Sequence, residues 1–260
     1  MIDFLMPAAY AILVWWFATG IILFLDGLPP HTFRWSMICA TAGLAIVSVQ
    51  LRASAADAST SGAYTAFTCA ILVWGWLEMS FLMGFITGPR KHACLERCSG
   101  WRHFLHAVEA IIFNELATLG GGLAVLVATR HAPNQLALAT YLILWGMRLS
   151  AKLNLFLGVP NLGEKFLPAH LQYLKSFFRK RPMNILFPVS VSVSTIGVVL
   201  LVQRYIAASA PFNATAFALV ASLLALAVLE HWFMVIPLPS EKMWRWAMRP
   251  AEARITVKAP

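Results

Sequence analysis

Ionisable groups inside the apolar sequence are few: Glu78, His106, Glu109, Glu115, Arg148, Lys152, Glu230 and His231. A charge in hydrocarbon costs several kcal/mol unless it is paired or solvated, so each of these residues needs a reason to be there. His106 and Glu109 are three apart and share a helical face, with Glu115 six residues further on. Arg148 and Lys152, four apart, share another. Glu164 and His170 lie in the stretch VPNLGEKFLPAH, where Pro160, Gly163 and Pro168 restrict the backbone around them.

Three arrangements would account for these groups. In the first, Glu78, Glu109 and Glu230 pair with Arg148 and Lys152 and set the register of the helices. In the second, Glu78, His106, Glu109, Glu115, Glu230 and His231, joined by Glu164 and His170 from the loop, ligate one or two metal ions such as iron. Di-iron carboxylate bundles combine Glu from several helices with Glu and His three residues apart. Here the order is HxxE, once, without the paired ExxH motifs, and the HxxxH and HxxHH boxes of membrane desaturases are missing. In the third, His106, beside the small Ala107 and Ala110, offers a neutral imidazole to the magnesium of a chlorophyll or the iron of a haem.

The elements that must position these groups are seven apolar stretches, each near the ~20 residues needed to cross a hydrocarbon core. They run Leu5–Leu25, Trp35–Leu51, Tyr64–Ile86, Phe104–Ala128, Leu136–Leu157, Met183–Val202 and Ala214–Ile236. The expected fold is an all-α, polytopic membrane bundle forming a single integral membrane domain over residues 1–260. Alternate connections hold 15 of the 20 basic residues, among them Arg34, Arg90, Arg97, Lys175, Arg181, Arg249, Arg254 and Lys258. The other side keeps only Arg52, Arg130 and Arg204. Retention of positive loops in the cytoplasm then places the N-terminus outside and the C-terminus inside. In that frame Glu78 lies about 12 Å deep, His106 and Glu109 roughly 3 to 8 Å, and Glu230 about 9 Å, at 1.5 Å per residue from the inner end of each span. All fall in the cytoplasmic half of the membrane, with Glu115 deeper. Gly120, Gly121 and Gly122 let helices approach closely.

Hydrophobic residues make up 60% of the chain and charged residues 12%, well below the quarter of a soluble domain. The net charge of +9 sits where topology requires basic loops, beside an anionic inner leaflet, and does not indicate nucleic acid. The lipid bilayer is the first partner. Met-Ile-Asp before the first apolar run, with no basic residue, reads as a retained first helix and not as a cleaved signal. Cys39, Cys69, Cys94 and Cys98 form no disulfide framework. Cys94 and Cys98, near His92 and His103, could bind a metal, but a CxxxC pair fits known zinc patterns loosely and reduced thiols are the simpler reading.

The longest connection, Gly158 to Pro182, carries Leu167, Leu171, Leu174 and Phe178 at helical spacing with Lys175, Arg179 and Lys180 on other faces. It predicts an amphipathic helix in the inner headgroup layer, between spans five and six. The segment PLPSEKMWRWAMRP, where Trp244 and Trp246 alternate with cations, is expected at the same interface.

Two stretches, LFLGVPNLGEKFLPAHLQYLKSFFRKRPMNILFPVSV (Leu155 to Val191) and EHWFMVIPLPSEKMWRW (Glu230 to Trp246), resemble the PuhE-type photosynthetic complex assembly proteins of purple phototrophic bacteria. The resemblance extends over the whole chain. It implies a bacterial inner-membrane protein associated with assembly of reaction-centre and light-harvesting complexes and with bacteriochlorophyll supply. Complex subunits or pigment-biosynthesis enzymes would then be its partners. The alternative is a membrane metalloenzyme, a di-iron oxidase or hydroxylase acting on a pigment precursor, a quinone or another lipid-soluble substrate.

Overall fold

A computed structural model describes residues 2–94, 98–238 and 240–248. The basic positions Arg97, Arg249, Arg254 and Lys258 lie outside them. Among the described residues, seven helices, each long and apolar enough to cross a membrane, form a bundle: α1 Ile2–Asp26, α2 Phe33–Ala55, α3 Thr60–Leu82, α4 Gly100–Thr129, α5 Leu136–Leu157, α6 Leu186–Ile206 and α7 Pro211–Phe233. The chain is a multi-pass membrane protein. Large apolar side chains such as Leu13, Ile46, Val49, Leu123 and Ile196 point outward, as suits walls solvated by acyl chains.

The third helix is the hub. Ala63, Ala66, Phe67, Ala70 and Ile71 are buried along it, packed with Tyr141 of α5 and Leu219 and Leu223 of α7. Small residues keep α4 and α5 close: a Cβ on Gly121 would lie 2.7 Å from the Tyr141 hydroxyl. That hydroxyl donates to the Thr118 carbonyl at 2.6 Å, so the glycines and the tyrosine form one fitted contact.

Helix ends differ from the apolar windows in ways that matter for the site. The window expected to reach Ile86 stops at Leu82, because Gly84 adopts a left-handed φ of 82° and the Ser80 carbonyl accepts both Phe85 N–H and Ile86 N–H. Glu78 is therefore about 6 Å from the helix end, half the depth expected. In the other direction, α4 has 30 residues, about 45 Å, where a hydrocarbon core needs only about 30 Å. Asn114 N–H of α4 donates to the Thr87 carbonyl at 3.0 Å, so the chain just past α3 is level with the middle of α4. Residues 100–113 thus extend about 20 Å along the α4 axis past that level. His106 and Glu109 belong to this overhang, and depths counted from Phe104 do not apply to them.

The overhang is covered by the α5–α6 connection. Ala169–Phe177 is a 3-10 helix, in which residues three apart eclipse, so its buried stripe is Leu171, Leu174 and Phe177, not an α-helical face ending at Phe178. That stripe packs on Phe81 of α3 and Ala110 of α4. This cap segment is a lid on protein. Its base is closed by paired backbone bonds between Val159 and Arg179–Arg181, and by Asn184, whose amide donates to the Asn154 and Gly158 carbonyls.

The C-terminal segment packs against α1. Trp244 Nε1 donates to the Trp16 carbonyl and Trp16 Nε1 to the Met243 carbonyl, both at 3.1 Å. Trp246 occupies the notch left by Gly20. These contacts lie six or more residues before the end of α1.

Candidate functional site

Among the described residues, four carboxylates, two of them half-buried and two exposed, meet cations. Arg148 Nη2 lies 2.8 Å from Glu78 Oε2, and Lys152 Nζ lies 2.6 Å from Glu115 Oε1. Because Arg148 and Lys152 are one turn apart on α5, that helix ties itself to α3 and α4 at the same level. The Lys152 ammonium also sits over the Phe81 ring, 5.5 Å from its centre. Glu109 pairs with Arg90 Nε at 3.1 Å, a residue read from sequence only as a topogenic charge. Arg90 in turn holds the His92 ring nitrogen at 2.9 Å. Glu164 pairs with Lys175 at 3.1 Å across the cap.

The two remaining histidines of the expected ligand set have structural partners. His231 is buried on α7, and its Nδ1 lies 2.9 Å from the Ala227 carbonyl, which can only accept, so Nδ1 carries the proton. Its Nε2 faces Ser150 Oγ at 2.9 Å, within a cluster with Ser190 and Asn154. His170 lies against Gly84, where a Cβ would come within 3.0 Å of its ring, and 6.0 Å from the Phe33 ring. The residue keeps an exposed edge, and partial desolvation pushes its imidazole below the ordinary value of 6.5, opposed by a hydrogen bond to the Leu82 backbone. Glu230, beside His231, is on the exposed side of α7.

The structure therefore distributes Glu78, Glu109, Glu115, Glu164, His170 and His231 over ion pairs and hydrogen bonds, and leaves Glu230 exposed within electrostatic reach of Arg148 and Glu78. It gathers a different group. Among the described residues, the one set of three metal-ligating atoms within 4.8 Å of one another belongs to Cys94, Cys98 and His106. His106 Nδ1 lies 3.5 Å from Cys94 Sγ and 3.2 Å from Cys98 Sγ, while His103 Nδ1 approaches Cys94 Sγ at 3.4 Å. His106 is thus in a candidate metal centre, with thiols as neighbours in place of the carboxylates expected. His103 is buried, its ring 5.5 Å from Phe156 and 5.6 Å from Phe177. The Cys94 backbone N–H donates to Ser176 Oγ of the cap at 2.9 Å.

Residues 1–255 match a family described as "Protein of unknown function (DUF3623)". The chain belongs to the DUF3623 family. It is 38% identical over 254 residues, 94% of this chain and 91% of the relative, to an "Uncharacterized 30.4 kDa protein in puhA 5'region" of Rhodobacter capsulatus. No solved structure matches this DUF3623 protein. The cysteines and His103 were visible in its sequence as a CxxxC pair with histidines nearby. The missing signal was that the α4 overhang folds His106 back onto that pair.

Proposed function

We propose that this DUF3623 protein is a membrane factor for assembling photosynthetic complexes or adjusting the bacteriochlorophyll supplied to them. The observation that carries this reading is the relative in the puhA 5' region, alike over 94% of this chain. The PuhE-type resemblance of the stretches Leu155 to Val191 and Glu230 to Trp246 agrees with it. In this reading the protein lies in the inner membrane with its N-terminus outside and its basic loops, α4 overhang and cap on the cytoplasmic side. Complex subunits or pigment-biosynthesis enzymes would meet it there.

The site geometry favours a binding or scaffolding role over carboxylate-bridged iron chemistry. Glu78, Glu109 and Glu115 would each have to give up a cation at 2.6 to 3.1 Å before ligating a metal. The test is deletion of the relative's gene in Rhodobacter capsulatus, with this chain supplied in its place. Near-infrared absorbance of reaction-centre and antenna complexes, per membrane protein, should change severalfold on deletion and return with this chain. Unchanged complex and pigment levels in the deletion strain would overturn the proposal.

A further inference from the structure

Two thiols and two imidazoles meet where the α3–α4 loop enters α4, and hydrogen bonding alone accounts for them poorly. A ring nitrogen has one in-plane site, either a proton or a lone pair. Yet His106 Nδ1 has two sulfur neighbours, at 3.5 and 3.2 Å, and Cys94 Sγ is shared with His103 Nδ1 at 3.4 Å. A cation at their centre would take one lone pair from each ligand.

The separations fit that role. Zinc–sulfur bonds near 2.3 Å and zinc–nitrogen bonds near 2.0 Å, at a tetrahedral angle, put S and N about 3.5 Å apart. Both sulfur-to-His106 distances lie close to this value. We propose that Cys94, Cys98 and His106 bind one zinc-class cation at the foot of the α4 overhang. Two thiolates and an imidazole select a soft or borderline metal over magnesium or calcium. His103 is a positioning residue: its Nδ1 faces the Cys94 sulfur, and its ring is fixed against Phe156 and Phe177. The three ligand residues are half-buried, so an ion could reach them from solvent. Binding releases a proton from each thiol. The ion would pin the loop after α3 to the start of α4, and through Cys94 N–H to Ser176 it would set the seat of the cap.

The inference stands apart from the proposed function, because it is read on isolated protein and not in photosynthetic membranes. Full-length protein in detergent, purified under reducing conditions and stripped by chelator, is titrated with zinc against a chromophoric competitor and separately with cobalt(II). One equivalent per chain is expected, with a cobalt–thiolate charge-transfer band. Cys98→Ser and His106→Gln should each weaken zinc at least ~10-fold, the loss that even an outer-shell change produces. Cys39→Ser, at an exposed cysteine on α2, should leave it unchanged. If Cys98→Ser does not accumulate, the cobalt spectrum of the unaltered protein and His106→Gln decide. The proposal is overturned if no thiolate band appears, if Cys98→Ser and Cys39→Ser bind zinc equally, or if alkylation finds Cys94 and Cys98 joined as a disulfide in fresh membranes.

Discussion

The two ends of the bundle are closed by opposite means. At the end holding the α2–α3 and α4–α5 turns, one fully buried amide does the joining: Asn134 Nδ2 donates to the carbonyls of Ser54, Asp57 and Gly62 at 3.0 to 3.1 Å. Its Oδ1 accepts Leu136 N–H, and its own N–H reaches the Ala55 carbonyl. Donors there meet acceptors, and the turns are complete. At the other end a long helix projects past its neighbour, a 3-10 cap lies over it, and thiols and imidazoles converge on one another. An end whose polar groups satisfy one another within the chain has a structural task only. An end whose lone pairs converge is where the proposed ion would enter.

That contrast can be tested, and the largest effect should come from the charge layer between the ends. Glu115→Gln leaves the Lys152 ammonium unpaired among apolar groups and should cost about 3 kcal/mol in detergent unfolding. Glu115→Gln with Lys152→Met should recover most of it, and neither change should alter zinc affinity. A loss of zinc in Glu115→Gln would join the layer to the metal centre. Next, Asn134→Ala strands two buried carbonyls and one part-buried one and should cost about 2 kcal/mol or more, equally with and without chelator. Stability unchanged by Asn134→Ala would mean that those turns hold without their amide.

Chelation of the unaltered protein should act on one end alone. Exchange of the Cys94 amide, donated to Ser176, should speed up while that of the Asn134 amide stays slow. Equal acceleration would break the contrast. A smaller effect belongs to His170. Its folded value lies below the ordinary 6.5, so below about pH 6.5 the unfolded chain binds a proton that the folded chain excludes. Stability contributed at neutral pH is then lost as pH falls from about 6.5 to the lower folded value, and the cap should become easier for protease to cut. His170→Phe should flatten that dependence. The smallest change is Tyr141→Phe, which removes one hydrogen bond to Thr118 and should cost about 1 kcal/mol.

Helix number was legible because a seven-fold run of apolar windows has no other stable use. The ends were not, since backbone conformation decided them: Gly84 at positive φ cut α3 short of Ile86. The apolar residues of the cap suited an α-helix ending at Phe178 or a 3-10 helix ending at Phe177, and only docking on Ala110 selects the second. Among the candidate ligands, the pairing of Glu78 with an α5 cation followed from the cost of burying charge, whereas Lys152 takes Glu115 in place of the expected Glu109 or Glu230. Arg90 with Glu109, and His106 with Cys94 and Cys98, depended on how far α4 outruns α3, which no spacing within α4 discloses.

The overhang also has a consequence for the order of synthesis. Its cap, centred on Leu174, is translated some 70 residues after His106, which at 5–20 residues per second is roughly 4 to 14 seconds later. Throughout that interval the apolar flank around Ala110 lacks the stripe that buries it, whereas Cys94, Cys98 and His106 have all left the ribosome together. A captured ion would hold the nascent overhang in shape until its lid arrives.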